Sequence, residues 1–200
     1  MIWTLSKFTY ICPKTIRHEH KIPHTIENCV GEKINFLSIE TNQSDDKVLL
    51  EAFCNPGCGP IMHTHLRQDE CLTVTSGKMG YQIPGQEPKF LIKGETALFK
   101  RGTPHKFWAE GKETLKLSGW ISPVDNVIFY LSALYAAQNK SGKGQPETFD
   151  GAYLMTRYTA EYDIPEIPQF VKNIIMPFTC FIGSLLGKYK HFRNAPLPLK

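Results

Sequence analysis

The sequence predicts a mainly β protein, a sandwich or barrel of short strands with a helical extension at its C-terminal end, and three observations carry that prediction. From about His24 to Ile121, short apolar or alternating runs follow one another roughly every eight to twelve positions, the pattern of strands rather than helices. Turn-forming groups fall between those runs: Asn55-Pro56-Gly57, Ser76-Gly77, Pro84-Gly85, Lys93-Gly94, Arg101-Gly102 and Glu110-Gly111-Lys112. After Trp120 the apolar spacing changes, with Val124, Val127, Ile128, Leu131, Leu134 and Tyr135 recurring at helical intervals. A chain of 200 residues fits one domain with a decorated end.

Taken in order, residues 1–23 are expected to be an N-terminal arm, 24–121 the barrel and 122–200 the helical extension. The first fifteen residues show no basic start, long apolar run or small-residue cleavage site, so no secretory signal is expected. Inward strand faces are expected from Ile34, Phe36 and Ile39, from Val48 to Phe53, Leu72 to Thr75, Tyr81 and Ile83, Phe90 to Ile92, Ala97 to Phe99, and Leu115 with Leu117. Ser122-Pro123-Val124-Asp125 reads as a capping box opening a helix that runs to about Asn139. Ser141 to Gly144 and Pro146 then form a loop, followed by a short helical or extended piece at 152–161 and a proline-broken joint at 164–168. Residues 174–187 hold no charged side chain and precede Lys188, Lys190, His191 and Arg193. Fourteen uncharged residues with an internal Pro177 fall short of the ~20 that span a bilayer. A helix packed on protein, pairing with a second copy or lying in a membrane interface is expected instead.

Composition narrows the function classes. The net charge is +4 and the Lys and Arg residues are scattered rather than striped along one face, so no nucleic-acid partner is expected. The six cysteines form no CxxC pair and point to reduced thiols and a cytoplasmic location, with membrane association left open by the C-terminal segment. Cys54 and Cys58, the nearest pair, read as unpaired thiols near a turn, because a zinc site needs further ligands.

The chemistry is concentrated in Gly57-Cys-Gly-Pro-Ile-Met-His63-Thr-His65-Leu-Arg-Gln-Asp-Glu70 and in Gly94 to His105. Strand alternation puts His63 and His65 on one face, and a turn through Leu66 to Asp69 would bring Glu70 to them on a neighbouring strand. Imidazoles and a carboxylate together suit one divalent transition metal (Fe, Mn, Ni, Co, Cu or Zn) and leave positions for water or substrate. His105 would be the fourth ligand.

These residues resemble the two motifs of the cupin superfamily, G(X)5HXH(X)3,4E(X)6G and G(X)5PXG(X)2H(X)3N. The first matches at every fixed position; in the second Gly94, Gly102 and His105 match, while Lys100 replaces Pro and Ala109 replaces Asn. Within the superfamily the chain is similar to small single-domain bacterial cupins of the quercetin-dioxygenase-like type. The resemblance implies a jelly-roll barrel holding metal and substrate inside, and a homodimer. It also implies His63, His65, Glu70 and His105 as metal ligands.

Around that site Phe99, Phe107, Trp108, Tyr81 and Met62 form an apolar wall if they share the inward face, although core packing accounts for them equally well. Arg67 and Lys100 either draw an anionic substrate or keep the protein soluble. Asp69 reads as a solvated charge, and Gln68 as a mouth or turn residue.

Two functions remain in view. One is a metal-dependent, dioxygenase-like oxidoreductase acting on a small organic substrate, with Glu70 as the catalytic base. The other is a non-catalytic module that binds a small molecule and docks to a partner or membrane through its tail. No Ser-His-Asp or Cys-His arrangement suggests hydrolysis.

Overall fold

The computed structural model describes residues 21–42 and 45–199. The expected arm therefore lies outside the described residues over 1–20, and so does Cys12.

Eleven strands and three α-helices follow in chain order among the described residues: β1 (His24–Glu27), β2 (Glu32–Thr41), β3 (Asp46–Cys54), β4 (Thr64–His65), β5 (Asp69–Ser76), β6 (Met79–Gln82), β7 (Lys89–Leu91), β8 (Thr96–Phe99), β9 (Lys106–Ala109), β10 (Leu115–Ser122), α1 (Val127–Ser141), α2 (Thr148–Arg157), β11 (Tyr162–Asp163) and α3 (Met176–Leu185). All pairings are antiparallel. A six-stranded sheet runs β1-β2-β3-β10-β5-β8, a three-stranded sheet runs β7-β6-β9, and β11 pairs with β4. The crossed strand order, with β10 between β3 and β5, gives the jelly-roll barrel of a mainly β protein.

One continuous core lies between the two larger sheets. Phe36, Leu50, Leu72, Phe99, Leu115, Leu117 and Ile121 contribute from the six-stranded side and Met79, Phe107 and Ala109 from the other, all buried. β3 alternates buried and half-buried along its whole length, the period-2 signature of a sheet with one face to the core. Each buried Leu, Val or Phe contributes roughly 1.5–3 kcal/mol of transfer free energy, which makes this cluster the main stabiliser of the barrel.

Some expected inward positions move outward. Phe90 and Ile92 are exposed while Leu91 between them packs on the core, because only alternate residues of β7 can face inward. In β2 the register slips between Phe36 and Ser38, a bulge that leaves Leu37 exposed and sets Ile39 opposite Val48. Ile39 shares Val48's face by register, yet it lies near the strand end and is exposed.

The capping box also shifts. Ser122 ends β10, and its hydroxyl donates to the Asp46 carbonyl at 2.8 Å rather than capping a helix. Asp125, at φ 40°, interrupts helical geometry, so α1 starts at Val127 and closes on Gly142 in the left-handed region at φ 69°. The apolar spacing holds: Val124, Val127, Ile128 and Tyr135 are buried against the barrel. α1 is tied down by Tyr135 Oη donating to the buried Glu32 at 2.8 Å and by Asn139 Nδ2 donating to the Glu27 carbonyl at 2.8 Å.

Beyond α1, a second apolar cluster of Tyr130, Leu154, Tyr158 and Phe192 joins the helical extension to itself. Helical residues 169–170 and a π-helical turn, Val171–Ile175, run straight into α3. The turn sits where Pro177 would otherwise force its ring against the preceding carbonyls, and widening there keeps the helix continuous.

Candidate metal centre

His63, His65, Glu70 and His105 converge, each offering one ligand atom, and these four atoms lie within 4.8 Å of one another. They reach the same point from separate places in the fold. His63 and His105 face each other in an isolated antiparallel bridge closed by two backbone hydrogen bonds of 2.9 Å. His65 ends β4, and Glu70 points inward from β5, where it sits opposite Phe99 of β8. β4 pairs with β11 and not with β5, so Glu70 meets the imidazoles across the barrel interior rather than along a shared sheet. The expectation of a neighbouring-strand contact is corrected in that respect.

Proton positions follow from the partners. Nδ1 of His63 lies 2.8 Å from the Ile61 carbonyl and Nδ1 of His105 lies 2.9 Å from the Thr103 carbonyl. A carbonyl only accepts, so each Nδ1 carries the proton and each Nε2 turns towards the centre. His105 Nε2 is 2.9 Å from a Glu70 carboxylate oxygen, and His65 Nε2 is 3.9 Å from the same atom. An imidazole lone pair facing a carboxylate at that distance needs a positive charge between them, either a proton or a cation. The donor set therefore fits a divalent metal: three neutral nitrogens and one anionic oxygen, with two rings oriented by backbone carbonyls as metal-bound histidines usually are.

Electrostatics agree. Burial would raise the Glu70 carboxyl, but the hydrogen bond with His105 and the imidazoles of His65, His105 and His63 outweigh it and carry it down to about 2. Burial, then the neighbouring His105 and His65, push His63 down to about 3, which keeps it a neutral ligand. Burial lowers His65 as well, with Glu70 opposing.

Asp69 does more than a surface charge would. Asp69 accepts from the Arg101 backbone N–H at 2.8 Å, from Arg101 Nε at 3.1 Å and from Lys100 Nζ at 3.1 Å. It is a clamp between β5 and the loop that delivers His105, not a free solvated charge. That loop turns at Gly102, whose φ of 79° suits glycine and whose N–H donates to the His65 carbonyl at 2.8 Å. Lys100, where the resembling motif has proline, contributes a side-chain bond to Asp69 instead. Ala109, where the motif has asparagine, is buried in β9 and accepts the Gly57 N–H at 3.0 Å.

Phe99, Phe107 and Met62 are buried, and Tyr81 packs edge-on to Phe99 at 5.5 Å. Phe99 lies flat on the His105 ring, with centroids 3.9 Å apart and planes within 1°. Trp108 turns the other way, beside Phe90 and with its indole N–H on Glu110 at 2.7 Å, because alternation along β9 sends Phe107 inward. Gln68 is wholly buried and donates to Asp125 at 3.4 Å. Arg67 pairs with Asp125 at 3.7 Å. The thiols of Cys29, Cys54, Cys58, Cys71 and Cys180 are unpaired, and burial pushes Cys54 up to about 12.

The Asp69 clamp has a pH signature. Burial alone would raise this carboxyl, but its bonds to Arg101 and Lys100 hold it at about 2, below the ordinary 3.8. A group lowered in the folded state adds stability above its unfolded pKa and loses it as pH falls through the folded one. Asp69→Asn is therefore expected to lower the urea midpoint at pH 7, with the gap to wild type closing as pH falls from about 4 towards 2. Urea titrations of both proteins across that range check it.

The extension covers one side of the centre. β11 lays Tyr162 opposite His65, ring centroids 5.6 Å apart, and Tyr162 stacks on Tyr130 at 3.8 Å. Beside them is a cleft of about 180 Å³ lined by residues including Tyr130, Tyr162, Asp163 and Lys172, and none of the four converging residues lines it.

Residues 53–122 match the family profile described as a cupin domain. A curated protein named Oxidoreductase iacF, from Pestalotiopsis fici, is 34% identical over 67 residues, which are 32% of this chain; the match spans 33% of that protein, about a third of its length. Among solved structures, the polyketide cyclase RemF of Streptomyces resistomycificus is 23% identical, with 55% of this chain and 80% of that one covered and a TM-score of 0.43. A cupin-like protein of Thermotoga maritima is 25% identical, with 44% and 66% covered and a TM-score of 0.40. The profile match takes in His63, His65, Glu70 and His105 within a mainly β jelly-roll barrel, and over residues 53–122 the chain is similar to a cupin domain.

Proposed function

We propose that the protein is a metal-dependent oxidoreductase, dioxygenase-like in using O2, that acts on a small organic molecule carrying adjacent oxygen donors. The observation that carries this reading is the buried cluster of His63, His65, Glu70 and His105, whose carboxylate and nitrogens face one another around a single point. The name of the partial relative from Pestalotiopsis fici supports the oxidoreductase class. A divalent ion held by these four residues would supply a Lewis-acidic centre with positions left for oxygen ligands.

The chain's own residues have distinct tasks. Nδ1–H of His63 and of His105 stays on backbone carbonyls and holds the rings in place. Glu70, kept ionised beside His105, accepts the proton of a substrate hydroxyl at the carboxylate oxygen that does not face His105. Phe99, Phe107 and Tyr81 line the interior and exclude water from that proton transfer.

Glu70→Gln separates this role from simple binding. It is expected to retain metal with weaker affinity and to lose about 10²–10⁴-fold in turnover, the usual range for general-base removal. The check is metal-dependent oxygen consumption with a panel of flavonols, diketones and thiols. Full turnover in the variant, or no oxygen consumption by the metal-loaded wild type with any compound, contradicts the proposal and favours the non-catalytic module.

A further inference from the structure

The helical stretch 169–185 leaves its largest apolar side chains on the surface. Its exposed face carries Phe170 (61% exposed), Ile174, Phe178 (63%), Phe181 (58%), Leu185 (69%) and, one residue on, Leu186, spaced every three or four positions along the helix. The half-buried face turned to the protein mixes Val171, Met176 and Ile182 with Thr179, Cys180 and the buried Gly183, against which Tyr189 and Phe149 pack. A surface helix of a globular protein shows the opposite arrangement, and contiguous exposed apolar patches of this kind mark a contact surface.

Charge identifies what covers it. No acidic residue lies between Glu166 and Lys200, whereas Lys172, Lys188, Lys190, Arg193 and Lys200 are basic. Lys172 is taken up by Asp163 at 2.6 Å. Lys188, Lys190 and Arg193 are exposed just past the apolar stripe. A second copy laid on this face would bring another set of cations and no carboxylate from the segment to meet them. An anionic lipid surface offers both an apolar layer for the Phe and Leu side chains and negative headgroups for the flanking cations. No helix among the described residues is long and apolar enough to cross a membrane.

We infer that the face of Phe170, Ile174, Phe178, Phe181 and Leu185 inserts into the interfacial layer of an anionic membrane, with Lys188, Lys190 and Arg193 at the headgroups. This does not depend on the metal centre. The test is flotation of the full chain with vesicles of phosphatidylcholine alone and of phosphatidylcholine with phosphatidylserine, alongside lipid-free sedimentation. The wild type is expected to float with the anionic vesicles, less so at high salt. Lys190→Gln with Arg193→Gln should weaken binding about 30-fold, from roughly fivefold per cation. Phe178→Ser with Phe181→Ser should abolish it, while thermal unfolding stays at the wild-type midpoint because both rings are exposed. Failure to float with anionic vesicles overturns the inference. So does a lipid-free dimer that the Phe178→Ser, Phe181→Ser variant dissociates, since the occupant of the face is then a second copy.

Discussion

Changing His63 and His105 together to alanine is expected to take metal content from one ion per chain to background. The two residues supply half of the converging ligand atoms and face each other across one backbone bridge. Their main-chain bonds do not need the imidazoles, so the loop geometry persists in the variant. The cost appears at Glu70, which loses its 2.9 Å partner and stays buried. Burial is then opposed by His65 alone of the three imidazoles, which shifts Glu70 towards the neutral carboxyl. His105→Gln provides a cleaner arm, because the amide can still donate to Glu70 while offering the metal a poor ligand. Elemental analysis of both variants beside wild type, with circular dichroism as the folding control, checks the expectation.

Phe99→Ala should have the largest effect on stability near the site, lowering it by about 3–5 kcal/mol. The ring is 2% exposed, belongs to the main core and packs flat against His105. Its removal leaves a cavity behind the imidazole and frees that ring to tilt away from Glu70. Phe99→Leu separates the two consequences: most of the volume returns, but the flat contact does not. The leucine variant is therefore expected to recover most of the lost stability and still bind metal more weakly than wild type. Denaturant midpoints and metal titrations of the two variants measure each part.

The barrel was legible because its strands alternate: the β3 and β10 residues fall inward as period 2 requires, and turn glycines such as Gly77 and Gly102 sit between runs. The convergence of four metal-type side chains was legible from motif spacing, since identity and order suffice there. Other features depend on contacts that no local pattern encodes. Asp69 looked like a surface charge because its partners, Lys100 and Arg101, lie thirty-odd residues away. The place of Glu70 across the interior follows from β4 pairing with β11, a strand of two residues without a sequence signature. Ser122 satisfied a capping pattern, but the carbonyl of Asp46, distant in sequence, claims its hydroxyl. Trp108 and Phe107 differ only in parity along β9, and adjacent aromatic residues leave that parity open until the register is known.

The most direct measurement of the central claim is X-ray absorption on the protein reconstituted with zinc. The arrangement of His63, His65, Glu70 and His105 predicts three imidazole nitrogens at about 2.0–2.1 Å and one carboxylate oxygen at about 2.0–2.2 Å in the first shell. A sulfur scatterer near 2.3 Å, or a shell with fewer than three imidazoles, would contradict it.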